Sequence, residues 1–171
     1  GEYEYNNGKV LVYVPGFMVG INPSDRLKRT YAALRQDAAP GKIRLYGSLD
    51  LSSYSTGMHW DIQKWSNAEL MNAYGVSSDY LSKLEACTIG TYMIRTEANL
   101  RLFTVNSIGA DYEGLDGKRN TFLHCVLWYL ARCEAYRGGV MDPMRAFIYI
   151  DDGAFSIEVD EDDVVSVVNV I

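Results

Sequence analysis

The sequence predicts an α+β fold, an antiparallel sheet with helices packed on one face. Two observations carry that prediction. Short β-branched runs are separated by long stretches of helical periodicity, in the order strand, helices, strand, helix, then three closing strands, instead of repeating as strand–helix units. The stretch "FIYIDDGAFSIEV" (147–159) sets two apolar runs around an Asp-Gly pair, a favoured two-residue hairpin turn. A ferredoxin-like βαββαβ arrangement satisfies this order.

The elements follow in turn. "KVLVYV" (9–14) is a β-branched strand closed by Pro15-Gly16. "INPSDRLKRTYAALRQ" opens a helix capped by Asn22 or Ser24, with Pro23 at an early position and Leu27, Tyr31 and Leu34 on one face. "GKIRLYG" gives a strand at 43–47, and "GMHWDI" (57–62) reads as another. Ser66 and Glu69 form a capping box for the helix after it, which Gly75 ends. A long helix is expected over 78–97 and a strand near 100–105. A second long helix runs from about 115 to Gly138-Gly139, with Phe122, Val126, Tyr129 and Cys133 on one face. Strands at 146–150, 154–159 and 164–170 close the chain.

At 171 residues this is the length of one domain with a real core. An N-terminal strand–helix segment (about 8–37) precedes the main α+β core (about 43–171). The composition, 48% apolar and 22% charged, is ordinary for a globular chain. No apolar run approaches the ~20 residues of a membrane span, and the first residues lack the build of a signal peptide. Cys87, Cys125 and Cys133 form no close pair and read as reduced, intracellular core residues. The net charge of −6 is concentrated: residues 151–163 hold seven acids and no base, which leaves 15 acids against 16 bases elsewhere. Bulk acidity therefore does not exclude a nucleic-acid partner.

Asp151 and Asp152 side by side repel one another unless a turn or a cation holds them. Two-metal phosphoryl transfer needs more carboxylates than these, converging on ions about 4 Å apart. A further one belongs at the end of a neighbouring strand, and Asp61, closing "GMHWDI", is the candidate. Here the chain resembles a family. "DIQKWS" (61–66) resembles motif A of the viral RNA-dependent RNA polymerases, in the form found in negative-strand RNA viruses. "GADYEGLDGKRNT" (109–121) resembles their motif B, with Glu113, Gly114, Leu115, Lys118 and Thr121 in register. "YIDDG" (149–153) resembles motif C, the acidic hairpin. The three occur in the family's order. Two motifs depart from the negative-strand pattern: Gly117 and Asn120 replace the Gln and Trp of motif B, and Ile-Asp-Asp replaces Gly-Asp-Asn in motif C.

The resemblance implies the palm of a viral RNA polymerase, a fragment of a larger enzyme whose fingers and thumb regions hold the RNA template and nascent strand. It implies two Mg²⁺ or Mn²⁺ ions held at Asp61, Ile62, Asp151 and Asp152, with nucleoside triphosphates as substrates and the virion or host cytoplasm as location. Gly109 and Gly114 would loosen the loop before the motif B helix. Asn120 and Thr121 would read the sugar 2′-hydroxyl, and Lys64, Lys118, Arg119 and Arg44 would contact phosphates. Trp65 is expected in the core. The alternatives are a reverse transcriptase palm, favoured by "YIDDG", and a non-catalytic ferredoxin-like binding module with an acidic hairpin.

Overall fold

The computed structural model describes residues 9–11, 13–52, 54–73, 77–80, 82–83, 91–95, 100–104, 117–140, 142 and 144–170. Its elements are α1 (Pro23–Leu34), β1 (Lys42–Asp50), α2 (Tyr54–Gly57), α3 (Trp60–Ala73), β2 (Thr91–Arg95), β3 (Leu100–Thr104), α4 (Gly117–Arg137), β4 (Arg145–Tyr149), β5 (Asp152–Asp160), a 3₁₀ turn (Glu161–Asp163) and α5 (Val164–Val170). The chain forms two compact units, residues 1–10 with 52–119, and residues 11–51 with 120–171. Helices with a small antiparallel sheet make the fold α+β. Among the described residues no helix is long and apolar enough to cross a membrane.

In the first unit, β2 pairs antiparallel with β3, Thr91 opposite Thr104. The helix expected over 78–97 therefore cannot continue through 91–95; residues 78–80 and 82–83 are helical. The strand expected at 57–62 is also corrected, because α3 begins at Trp60. Its buried positions are Gln63, Ser66, Asn67, Leu70 and Met71, spaced i, i+3, i+4, i+7 and i+8. Three of these five positions are polar, so an apolar pattern starts too late. Ser66 is no cap. It sits inside α3, and its Oγ donates to the Gln63 carbonyl at 2.9 Å. Trp65 falls between the buried positions and is 48% exposed, not core.

The second unit is built on a three-stranded sheet in the order β1-β5-β4. β1 pairs with β5 from Lys42↔Asp160 to Asp50↔Asp152, and β4 with β5 from Arg145↔Ser156 to Tyr149↔Asp152. Strand alternation gives this sheet two unlike faces. Ile148, Ile157 and Val159 are buried on one, where Trp128 of α4 meets Phe155 with ring centroids 5.0 Å apart. Phe155 in turn lies across Gly47, where a Cβ would sit 2.2 Å from its Cζ. The other face carries Lys42, Arg44, Ser48 and Asp50 beside Asp160, Glu158, Ala154 and Asp152.

The N-terminal strand of the sequence reading is absent. Residues 9–11 are helical, and turns follow through Leu11 and Val14. The sheet is instead extended by a parallel bridge from Phe17 to Ile148. Gly16 permits it: at φ +83°, it approaches β4 so closely that a Cβ would lie 2.6 Å from the Ala146 oxygen.

α1 starts where expected, with the Asn22 side chain accepting from Ser24 N–H and Pro23 in the first turn. Its half-buried positions are Arg26, Thr30, Ala33 and Leu34, while Leu27 and Tyr31 are exposed at 70% and 55%. In α4 the buried side includes Thr121, His124, Cys125, Trp128 and Ala135, and Tyr129 points outward. That helix ends in a Schellman motif, with Val140 N–H on the Ala135 carbonyl, Gly139 N–H on Tyr136, and Gly139 at φ +95°. The strand expected at 164–170 is α5. Its valines follow three acids, which favour a helix N-terminus through the helix dipole.

Candidate active site

The tip of the β4–β5 hairpin is Ile150-Asp151, since Tyr149 pairs with Asp152. It is not the Asp-Gly pair, which lies within β5. Ile150 has φ +57°. A β-branched residue in the left-handed region is a backbone outlier costing on the order of 1–3 kcal/mol, held only when its surroundings over-determine it. The surroundings here are two α4 side chains. Thr121 Oγ1 accepts from Ile150 N–H at 3.0 Å, and His124 Nδ1 lies 3.0 Å from the Ile150 carbonyl. A carbonyl only accepts, so Nδ1 carries the proton. The other end of β4 is held alike: Trp128 Nε1 donates at 3.3 Å to the carbonyl of Met144, itself at φ +47°. One side of α4 thus fixes both ends of the strand that leads into the acidic tip.

The carboxylate brought to this tip from a neighbouring strand is Asp50, which the sequence reading did not single out. It ends β1 directly opposite Asp152, and Leu51 N–H donates to the Asp151 carbonyl at 3.3 Å. Like charges directly opposite on adjacent strands destabilise a sheet. The same two strands obey that rule at their other end, where Arg44 pairs with Glu158 at 3.1 Å and Lys42 with Asp160 at 3.5 Å. The acid–acid row is therefore a local exception.

Beside that row lies a cleft of about 390 Å³ lined by Asp50, Asp152, Ser48, Tyr149, Arg26 and Thr30, among others. The Arg26 guanidinium stacks over the Tyr149 ring, 4.2 Å from its centroid. Two carboxylates and a fixed cation thus share one recess. The donor set, all carboxylate oxygen, is the chemistry of a hard dication such as Mg²⁺ or Mn²⁺. Among the described residues, no three His, Cys, Asp or Glu side chains are gathered as a group that could hold a metal ion.

No family model, curated protein or solved structure matches this chain.

The structure places the other described predicted residues on α3, α4 and β1. Asp61 is in the first turn of α3, in the first unit. Its N–H donates to His59 Nδ1 at 3.3 Å, and its carboxylate lies 3.4 Å from the same atom. Ile62 is 48% exposed and Lys64 half-buried on that helix. Arg119 is 2% exposed, donating to Gln63 Oε1 at 3.2 Å and Asn67 Oδ1 at 3.4 Å. Asn120 and Thr121 are buried as well, and Lys118 is half-buried. Arg44 and Glu158 stand six residues along β5 from Asp152, about 20 Å at strand rise. Gly109 and Gly114 lie outside the described residues.

Nothing local marked Asp50: the strand expected at 43–47 stops short of it, whereas β1 continues to Asp50.

Proposed function

We propose that this chain is the palm of a template-directed RNA polymerase, with Asp50, Asp151 and Asp152 as its metal-binding carboxylates. The observation that carries the reading is the acid–acid row Asp50↔Asp152 at a strained hairpin tip, on strands whose other charged rows are complementary. A fold retains such a row where a bound cation offsets the repulsion. Asp50 takes the place first given to Asp61, since "DIQKWS" lies wholly within α3 whereas Asp50 ends a strand beside the hairpin. The motif C likeness of "YIDDG" keeps the hairpin context that its role requires.

Two ions, Mg²⁺ or Mn²⁺, would supply activation of the primer 3′-hydroxyl and neutralisation of triphosphate charge. Asp50 and Asp152, adjacent across the strands, would hold them, and Asp151 would be drawn in from the turn on binding. Arg26 contributes a permanent positive charge to the cleft wall for the nucleoside triphosphate, and its stacking on Tyr149 limits where that charge can move. In this reading the template and nascent RNA are gripped by fingers and thumb regions of a longer polymerase. A virion or the host cytoplasm is the corresponding location.

The test is primed RNA synthesis by the polymerase that contains this chain. Asp50→Asn and Asp151→Ala are each expected to lower nucleotide addition by about 10³-fold or more, as loss of a core electrostatic group does, while Asp61→Asn leaves it within an order of magnitude. An active Asp50→Asn enzyme would refute the assignment. A non-catalytic binding module, the competing reading, shows no response to divalent metal at these acids.

A further inference from the structure

We infer that the outer edge of β1 is a self-association surface, pairing antiparallel with β1 of a second copy about a two-fold axis at Tyr46. This goes beyond the polymerase reading and depends on no metal ion. β1 is an edge of the sheet β1-β5-β4, and among the described residues no strand lies beyond it. It runs for nine residues without a proline, and Ile43, Tyr46 and Leu49 are exposed along it. A long open edge with apolar side chains is a template for a further strand.

The ladder fixes which backbone groups face outward. Leu51 N–H donates to the Asp151 carbonyl at 3.3 Å, and Glu161 N–H to the Gly41 carbonyl at 3.4 Å. Alternate residues of an antiparallel strand turn their backbone groups to the same neighbour, so the odd-numbered positions of β1 face β5. Lys42, Arg44, Tyr46, Ser48 and Asp50 therefore offer theirs to the open side, where Lys42 N–H is taken by the Ala39 carbonyl at 2.9 Å. A second β1 must match these positions with the same set. Centred on Tyr46, the match sets Lys42 opposite Asp50 of the second copy, Arg44 opposite Ser48, and Ile43 opposite Leu49.

The two ends of β1 carry opposite charges, so antiparallel self-pairing joins them twice, once on each side of the axis. Asp50, which faces Asp152 within its own sheet, gains a cation on its other side. Lys42, whose own pair with Asp160 is exposed and 3.5 Å long, gains a second carboxylate. The Tyr46 rings, each 58% exposed in the single chain, meet at the axis. Ile43 and Leu49 cover one another on the opposite face. Moving the register two residues one way sets Asp50 against Pro40. Moving it the other way sets Asp50 against Arg44, which Glu158 already holds at 3.1 Å. In-register parallel pairing sets like charge beside like. Charge complementarity thus selects an antiparallel second copy centred on Tyr46.

The test is sedimentation equilibrium of the full chain in chelator. Concentrations reach several hundred micromolar, since an interface of two strands falls in the small, weakly held class. The wild type is expected to rise with concentration toward twice the monomer mass. Tyr46→Pro removes an outward N–H and leaves the β1–β5 ladder its bonds. That variant is expected to stay monomeric with unchanged circular dichroism. Lys42→Glu is expected to weaken association about tenfold, because the axis repeats the altered row. Combining Lys42→Glu with Asp50→Lys is expected to recover the wild-type constant to within about threefold. Should Tyr46→Pro unfold, the charge exchange alone decides. A monomeric wild type, which leaves the edge to a strand of another protein, overturns the inference. So does association that these variants leave unchanged, or that the charge exchange fails to restore.

Discussion

Replacing Asp50 by Asn removes one charge from the acid–acid row and should stabilise the metal-free protein. Directly opposed strand residues have Cβ atoms about 5 Å apart, which sets the carboxylates at about 6 Å. Their repulsion is then about 0.7 kcal/mol in bulk water and about 3 kcal/mol at an effective dielectric constant of about 20. Both acids are exposed, so the lower end applies, about 1 kcal/mol, or a rise in Tm of about 2–4 °C for a chain of this size. The assay is thermal unfolding at low ionic strength with a chelator present. At ~1 M salt, where the screening length falls to about 3 Å, the difference between the variant and the wild type should largely vanish. With Mn²⁺ the order reverses. The wild type gains about 2.7 kcal/mol at a hundredfold excess over Kd, and Asp50→Asn loses most of that gain. A variant less stable than the wild type in chelator, or one with a full Mn²⁺ response, would refute the reasoning.

Three further outcomes follow from the same structure. Glu158→Gln should cost about 1–3 kcal/mol in chemical denaturation, because it strips the ionic partner from an Arg44 side chain only 12% exposed; a neutral result would show that pair to be dispensable. Gly47→Ala should destabilise by about 1–3 kcal/mol through overpacking against the Phe155 ring, and Phe155→Leu in the same chain should recover part of the loss. Burial pushes the Cys125 thiol from 9.0 up to about 12. The native state therefore keeps its proton where the unfolded chain has lost it, so this contribution is complete below pH 9 and is lost as pH rises toward 12. Stability should fall more steeply over that window in the wild type than in Cys125→Ala, and equal slopes would contradict it.

Where local chemistry decided the structure, the sequence was legible. The Asn22-Pro23 start of α1 and the glycine end of α4 rest on caps that single residues specify, and the hairpin 145–160 was legible from its two apolar runs, though its turn was not. Where an element or its inward face was misread, the causes were different. α3 buries Gln63, Ser66 and Asn67, and α4 buries Thr121 and His124, so in both helices part of the inward side is polar and the apolar stripe misleads. The valines of 164–170 have strand propensity, but the acids before them favour a helix start. At the site, Asp151 and Asp152 announced themselves by adjacency. Asp50 did not, because its significance lies in the β1–β5 register, which no local string encodes. Nor did Ile150, whose sequence signal is that of an ordinary strand residue.

The most direct test of the central claim is to find where the chain holds a divalent ion. Fe²⁺ substituted for Mg²⁺, with ascorbate and peroxide, generates hydroxyl radicals that cut the backbone next to the bound ion. The account predicts cleavage confined to residues around Asp50 and around Ile150–Gly153, suppressed by excess Mg²⁺ and abolished in Asp50→Asn. Cleavage elsewhere, or none at either segment, would contradict it.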